Sequence, residues 1–178
     1  MADVNTTLLT SLLKESLHKG QHPQLTIDSP SMTPLLRPGD EIILETVTLD
    51  QLKPGDILTL TTAAYLQTHR YWGLQQVAGV SYLLTRGDRP LRFDQPWPVE
   101  HLIGRVLARR RQGHTLYLNT GWGKWLNTKL ARLAQIEAHW FNLTPTPTAP
   151  ALTSFQRLQR RSLLLAAKLL AILVDFIG

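Results

Sequence analysis

The sequence predicts a mainly β protein, a small, coiled, barrel-like β domain with flanking α-helices. Three observations carry this. Between Gln24 and Val106 the apolar residues come in short runs of strand length, and those runs are divided by glycine and proline turn residues. On either side, before Gly20 and after Asn119, the apolar spacing becomes that of a helix. A chain of 178 residues with 43% hydrophobic composition is enough for one buried core with appendages.

Residues 1–22 form the first segment. Val4, Leu8, Leu9, Leu12, Leu13 and Leu17 recur at helical spacing from a start near Asn5 or Thr6, and Gly20 with Pro23 ends the pattern. This amphipathic helix either packs on the following domain or meets a membrane surface or partner.

Residues 23–120 form the β domain. Arg37-Pro38-Gly39-Asp40 precedes Glu41-Ile42-Ile43-Leu44, and Lys53-Pro54-Gly55-Asp56 precedes Ile57-Leu58-Thr59-Leu60. Proline presets φ at the first corner and glycine accepts positive φ at the second, so Asp40 and Asp56 are assigned to turn geometry. Further strands are expected at Tyr65–Trp72, Tyr82–Thr85, Leu102–Arg109 and Leu116–Leu118.

In residues 121–143, Trp122, Trp125, Leu126, Leu130, Leu133 and Ile136 lie along one side of a helix, with Lys124, Lys129 and Arg132 at other angles. The segment fits a membrane-interface helix or a helix capping the β domain. Residues 144–153, T-P-T-P-T-A-P-A-L-T, make a proline-rich spacer that runs extended. Residues 154–178 begin with Arg157, Arg160 and Arg161 and become mostly apolar, with Lys168 inside the apolar run. From Ser162 that run has 17 residues, roughly 25 Å as a helix against roughly 30 Å of hydrocarbon. An interfacial or tilted anchor is the first expectation, with a full span and docking on the protein itself as the others.

The net charge of +6 is unevenly placed: residues 1–100 carry −3 and residues 101–178 carry +9. A basic half wants an anionic partner, and its apolar content favours lipid headgroups over nucleic acid. With no cysteine, disulfides and thiolate catalysis are excluded. His18, His22, His101, His114 and His139 show no metal-ligand spacing, and no metal or cofactor is expected.

Three polar stretches stand apart: Ser29-Pro30-Ser31-Met32-Thr33-Pro34, Thr68-His69-Arg70, and Arg86-Gly87-Asp88 with Asp94 behind it. They supply a hydroxyl, an imidazole and a carboxylate. A serine is a poor nucleophile at neutral pH and needs a base, held in turn by a third group. Met32 is expected to pack beneath the nucleophile.

In order and spacing these stretches resemble the catalytic boxes of the signal peptidase I superfamily, in its archaeal and endoplasmic-reticulum branch. That branch has an S-G-S-M-x-P box, an H-R pair, and an acid about six residues after a K/R-G-D turn; Ile103-Gly104-Arg105-Val106 resembles its closing V-G-R-V strand. The resemblance covers about Leu25 to Arg105 and implies a peptidase domain of the signal-peptidase and LexA type. It implies Ser31 as nucleophile, His69 as base, Asp94 as acid and Asp88 as the structural aspartate of the glycine turn, with Asp88 the competitor for the acid. Oxyanion donors are expected at the Ser31 amide and, by resemblance, the Ser29 hydroxyl. The family's glycine between the serines is Pro30 here, which removes a backbone N–H. Residues 1–28 hold neither the membrane anchor usual in the family nor a signal peptide's apolar run.

The expected function is that of a serine endopeptidase cleaving an extended leader or signal segment of a polypeptide precursor after small residues. It is expected to act as a dedicated maturation protease at the membrane, on the cytoplasmic face, with the extracytoplasmic face left open. Three alternatives stand beside it: a general signal peptidase, a catalytically impaired membrane-binding module of the same fold, and a self-cleaving repressor of the LexA type. For the last, the leading 28 residues are too few to hold a DNA-binding domain.

Overall fold

A computed structural model of the chain describes residues 2–62 and 64–177, the side chains of residues 2–5 and 177 excepted. Val4, expected on the apolar face of the first helix, and Met1 and Gly178, at the outer limits of the terminal segments, lie outside that description. In chain order the elements are α1 (Ala2–His18), β1 (Gln24–Thr26), β2 (Glu41–Glu45), β3 (Ile57–Thr61), β4 (Leu66–Val77), β5 (Val80–Arg86), β6 (Trp97–Pro98), β7 (Leu102–Arg111), β8 (His114–Tyr117), α2 (Gly121–Trp140) and α3 (Ser154–Ile177).

Turn chemistry sets the strand boundaries. Gly39 and Gly55 sit at φ of +88° and +103° at the two Pro-Gly-Asp corners. The Asp40 and Asp56 carboxylates accept the backbone N–H of Arg37 and Lys53 at 2.7 and 2.9 Å, closing the turns as their spacing requires. Two hairpins turn on Ala78-Gly79 and Gln112-Gly113, all at positive φ, the geometry that matches the strand twist. The first hairpin carries β4 five residues beyond Trp72, where sequence spacing would have ended it. β1 and β6, of 3 and 2 residues, are too short to show a period.

All strands join one antiparallel sheet in the order β1-β2-β7-β3-β4-β5-β6, with β8 beside the far end of β7. The sheet is not closed into a barrel, which corrects the barrel-like expectation. Among the described residues β1 pairs only with β2, and over Leu66–His69 β4 pairs only with β3. Those two edges line a groove instead of bonding to each other.

Both faces of the sheet are covered. β3 is buried at every position, with Ile57 in the larger core and Leu58 and Leu60 in a second cluster with Tyr71, Leu83 and Trp97. The larger core joins Leu13 and Leu17 of α1, Leu126 and Leu130 of α2, and Ala167, Ala171 and Val174 of α3. Each fully buried leucine contributes about 1.5–3 kcal/mol. Docking of α3 on the protein is therefore the observed arrangement. Among the described residues no helix is long and apolar enough to cross a membrane.

Candidate active site

Ser31 lies in a single 3-10 turn, Pro30–Met32, between β1 and β2. Ser29 caps that turn, and its Oγ accepts the Ser31 backbone N–H at 3.2 Å. Pro30 takes the first turn position, where its missing N–H has no intrahelical partner, so the departure from glycine costs the turn no hydrogen bond. Met32, Leu35 and Leu36 anchor the segment in the core, Met32 as its residue type suggests. On the other side the Ser31 carbonyl accepts the Arg89 N–H at 2.9 Å, tying the Ser31 turn to the loop after β5.

His69 is buried in β4, opposite Leu58 of β3. Its Nε2 is 3.0 Å from Ser31 Oγ, and its Nδ1 is 2.7 Å from Asp94 Oδ2. A carboxylate only accepts, so Nδ1 carries the proton and Nε2 is free to accept from the serine. Asp94 is held by its own backbone N–H to the Thr85 carbonyl at 2.9 Å and by the Thr85 hydroxyl, which donates to Oδ2 at 2.6 Å. The Gln67 side-chain amide also lies 2.6 Å from Nδ1. With the Nδ1 proton present, that amide fits with its oxygen end toward the ring.

Asp88 does not approach the imidazole. Both its oxygens accept from Arg70, from Nε at 2.7 Å and from Nη2 at 2.7 Å. The remaining Arg70 nitrogen donates to the Gly55 carbonyl at 2.8 Å and to Asn127 Oδ1 at 2.6 Å. Asp88 thus fixes the arginine next to His69, and that arginine ties β4 to α2 through Asn127. The two Asp88 oxygens are both engaged by the arginine.

No protein-family profile and no curated protein sequence matches the chain significantly. The case for its chemistry accordingly rests on its own residues.

Sequence reasoning gives no role to Gln67 or Thr85 and places Gly87 only in its turn. Gly87 has a steric role: a Cβ there would lie 3.0 Å from His69 Nε2, 3.0 Å from the Ser31 carbonyl oxygen and 2.8 Å from Pro90. A hydrogen at this position lets His69 and Ser31 approach. The Arg-Gly-Asp turn was the available signal, although it points to backbone conformation and not to crowding.

Behind Asp94, Phe93 is buried edge-on to Trp72, with ring centroids 5.2 Å apart. The fully buried Arg86 guanidinium lies over Trp72 at 4.9 Å and donates to Glu137 at 3.0 Å. Burial lowers the Arg86 pKa, while Glu137 and Asp88 pull it back up. The Phe93 N–H bonds the Thr146 carbonyl at 3.2 Å, so the proline-rich spacer runs beside the loop carrying the acid.

The three side chains open on a groove of about 770 Å³. Leu25, Ile27 and Ile42 form one wall, Leu66 and Thr68 the other, and Thr6 and Leu9 of α1 lean over it. Among the described residues no three His, Asp or Glu side chains gather as a metal site.

Proposed function

We propose that the chain is a serine endopeptidase of the signal-peptidase type, its sheet an open variant of the signal-peptidase and LexA-type peptidase domain. The observation that carries this is the Ser31–His69–Asp94 relay, at 3.0 and 2.7 Å, set in a groove between two strand edges. His69 takes the Ser31 proton as Oγ attacks a peptide carbonyl and later delivers it to the leaving amine. Asp94 keeps the imidazole in the required tautomer and stabilises its charged form. The Ser31 amide is engaged by Ser29 Oγ, which accepts it and leaves its own hydroxyl proton for the developing oxyanion.

The edges of β1 and β4 support an extended substrate: main-chain hydrogen bonds hold it and alternate side chains enter the groove. The family resemblance adds small residues at the first and third positions before the cut. It also makes the substrate a leader or signal segment of a precursor, processed at a membrane surface, on the cytoplasmic face in our reading.

The test is cleavage of extended peptides with small residues before the scissile bond, together with labelling by a fluorophosphonate. Wild type should turn over and label at Ser31, whereas Ser31→Ala and His69→Ala should do neither while keeping the wild-type circular dichroism. Turnover retained in either variant refutes the proposal. A folded wild type inert to peptide and probe would leave a non-catalytic module.

A further inference from the structure

Helix α3 has a second apolar face that the fold does not use. Its inner edge packs on the core through small residues, Ala167, Ala171 and Val174. Its outer edge carries larger ones: Phe155, Leu158, Leu165, Leu169, Ile172 and Phe176 are 47% to 90% exposed. With Ser162 they recur at alternating steps of 3 and 4 residues, which places them in one straight row along the helix. Beside that row, on one flank, stand the exposed cations Arg157, Arg161 and Lys168.

The helix is pinned at both ends. Arg160 donates to Glu137 of α2 at 3.1 Å and to the Arg89 carbonyl. Asp175 accepts from Arg109 and Arg111, each at 2.6 Å, and from Arg37 at 3.3 Å. A helix held so on its inner side presents the outer row as a fixed part of the protein surface.

We propose that this outer row is a lipid-docking face, laid parallel to an anionic bilayer surface, with α3 remaining folded on the domain. The choice of occupant rests on charge. A row with this spacing would also suit a second copy of the helix, but the flank offers Arg157, Arg161 and Lys168, and the helix's one acid, Asp175, is already held by Arg37, Arg109 and Arg111, so two copies would bring like charges together. An anionic headgroup layer supplies the missing counter-charge, and the apolar row can sink into the interface. On α2, Trp122 and Trp140 are also exposed, a residue type that favours the headgroup level. This inference deepens the membrane part of the proposed function and is independent of its peptidase chemistry.

The experiment uses the full chain with vesicles of phosphatidylcholine alone and with about 30% phosphatidylglycerol. Wild type should co-sediment with the anionic vesicles and bind less as salt rises. The double variant Leu165→Gln/Leu169→Gln should weaken that binding by at least about tenfold. The triple variant Arg157→Gln/Arg161→Gln/Lys168→Gln should erase the preference for anionic over neutral vesicles. The substituted side chains are exposed, and circular dichroism with solution peptide turnover should match wild type. Absence of wild-type binding to anionic vesicles, or binding that both variants keep, overturns the proposal. So does a wild-type dimer in light scattering that the leucine variant dissociates, which would make the row a self-association face. Ser31→Ala should bind vesicles as wild type does, so loss of the peptidase reading would leave this one standing.

Discussion

Asp88 grips Arg70 with both carboxylate oxygens, at 2.7 Å each, and by doing so leaves the imidazole beside that arginine to Asp94. Two acids within six residues of each other thus have separate tasks. In Asp94→Asn the imidazole loses its orienting acceptor, and kcat should fall by roughly 10⁴-fold with thermal stability little changed. In Asp88→Asn a buried guanidinium loses its counter-charge, which should cost about 3–5 kcal/mol of stability while the enzyme that remains folded keeps its turnover. Paired kinetics and thermal melts check this. The opposite pattern would make Asp88 the acid of the relay.

Thr85 should act on rate through Asp94. Its hydroxyl donates to the same Oδ2 that accepts the hydrogen bond from His69 Nδ1–H, so Thr85→Val leaves Asp94 short of one donor. We expect kcat to drop by about tenfold at unchanged KM, corresponding to one lost hydrogen bond to a charged group. Thr85→Ser should restore it. A loss of stability alone, with no change in kcat and no rescue, would limit Thr85 to packing.

Gly87 is where three segments meet. In Gly87→Ala the added methyl must displace Pro90, His69 or the Ser31 carbonyl, and the last two belong to the relay itself. A shift of the base by about 1 Å lowers kcat/KM by about 10²-fold. Slower labelling of Ser31 by the serine probe is the direct measure. Wild-type labelling would show that the loop yields without disturbing the relay.

Ser29 and Pro30 separate stability from chemistry. Ser29→Ala removes the cap of the nucleophile turn, worth about 1 kcal/mol, and the proposed oxyanion donor, worth about 10²–10³ in kcat. Loss of stability with turnover retained would confine Ser29 to capping. Pro30→Gly frees the unfolded chain and should lower stability by about 0.4–1 kcal/mol. Its turnover should stay at the wild-type level, because proline occupies a turn position that needs no N–H. A clear gain in turnover would mean that substrate uses the missing amide.

Much of this protein is legible along the chain. Pro-Gly-Asp corners, β-type runs and the change to helical spacing locate the long strands and all three helices, because a turn or an amphipathic period depends on residues a few positions apart. The order of hydroxyl, imidazole and carboxylate is legible for the same reason, each lying in its own local motif. Folding settled the remainder. Which aspartate meets His69 depends on Arg70 claiming the other, and the help from Thr85 on β5 comes from a different strand than the one that carries His69. That the sheet stays open follows from the edges of β1 and β4 standing apart around the groove. Helix α3 is apolar on two sides, and its period does not say which side meets the core; the small residues Ala167 and Ala171 and the arginines that meet Asp175 decide it. Local chemistry acts through neighbours in sequence, whereas a relay, a groove and a docked helix need groups brought together from far along the chain, and only packing does that.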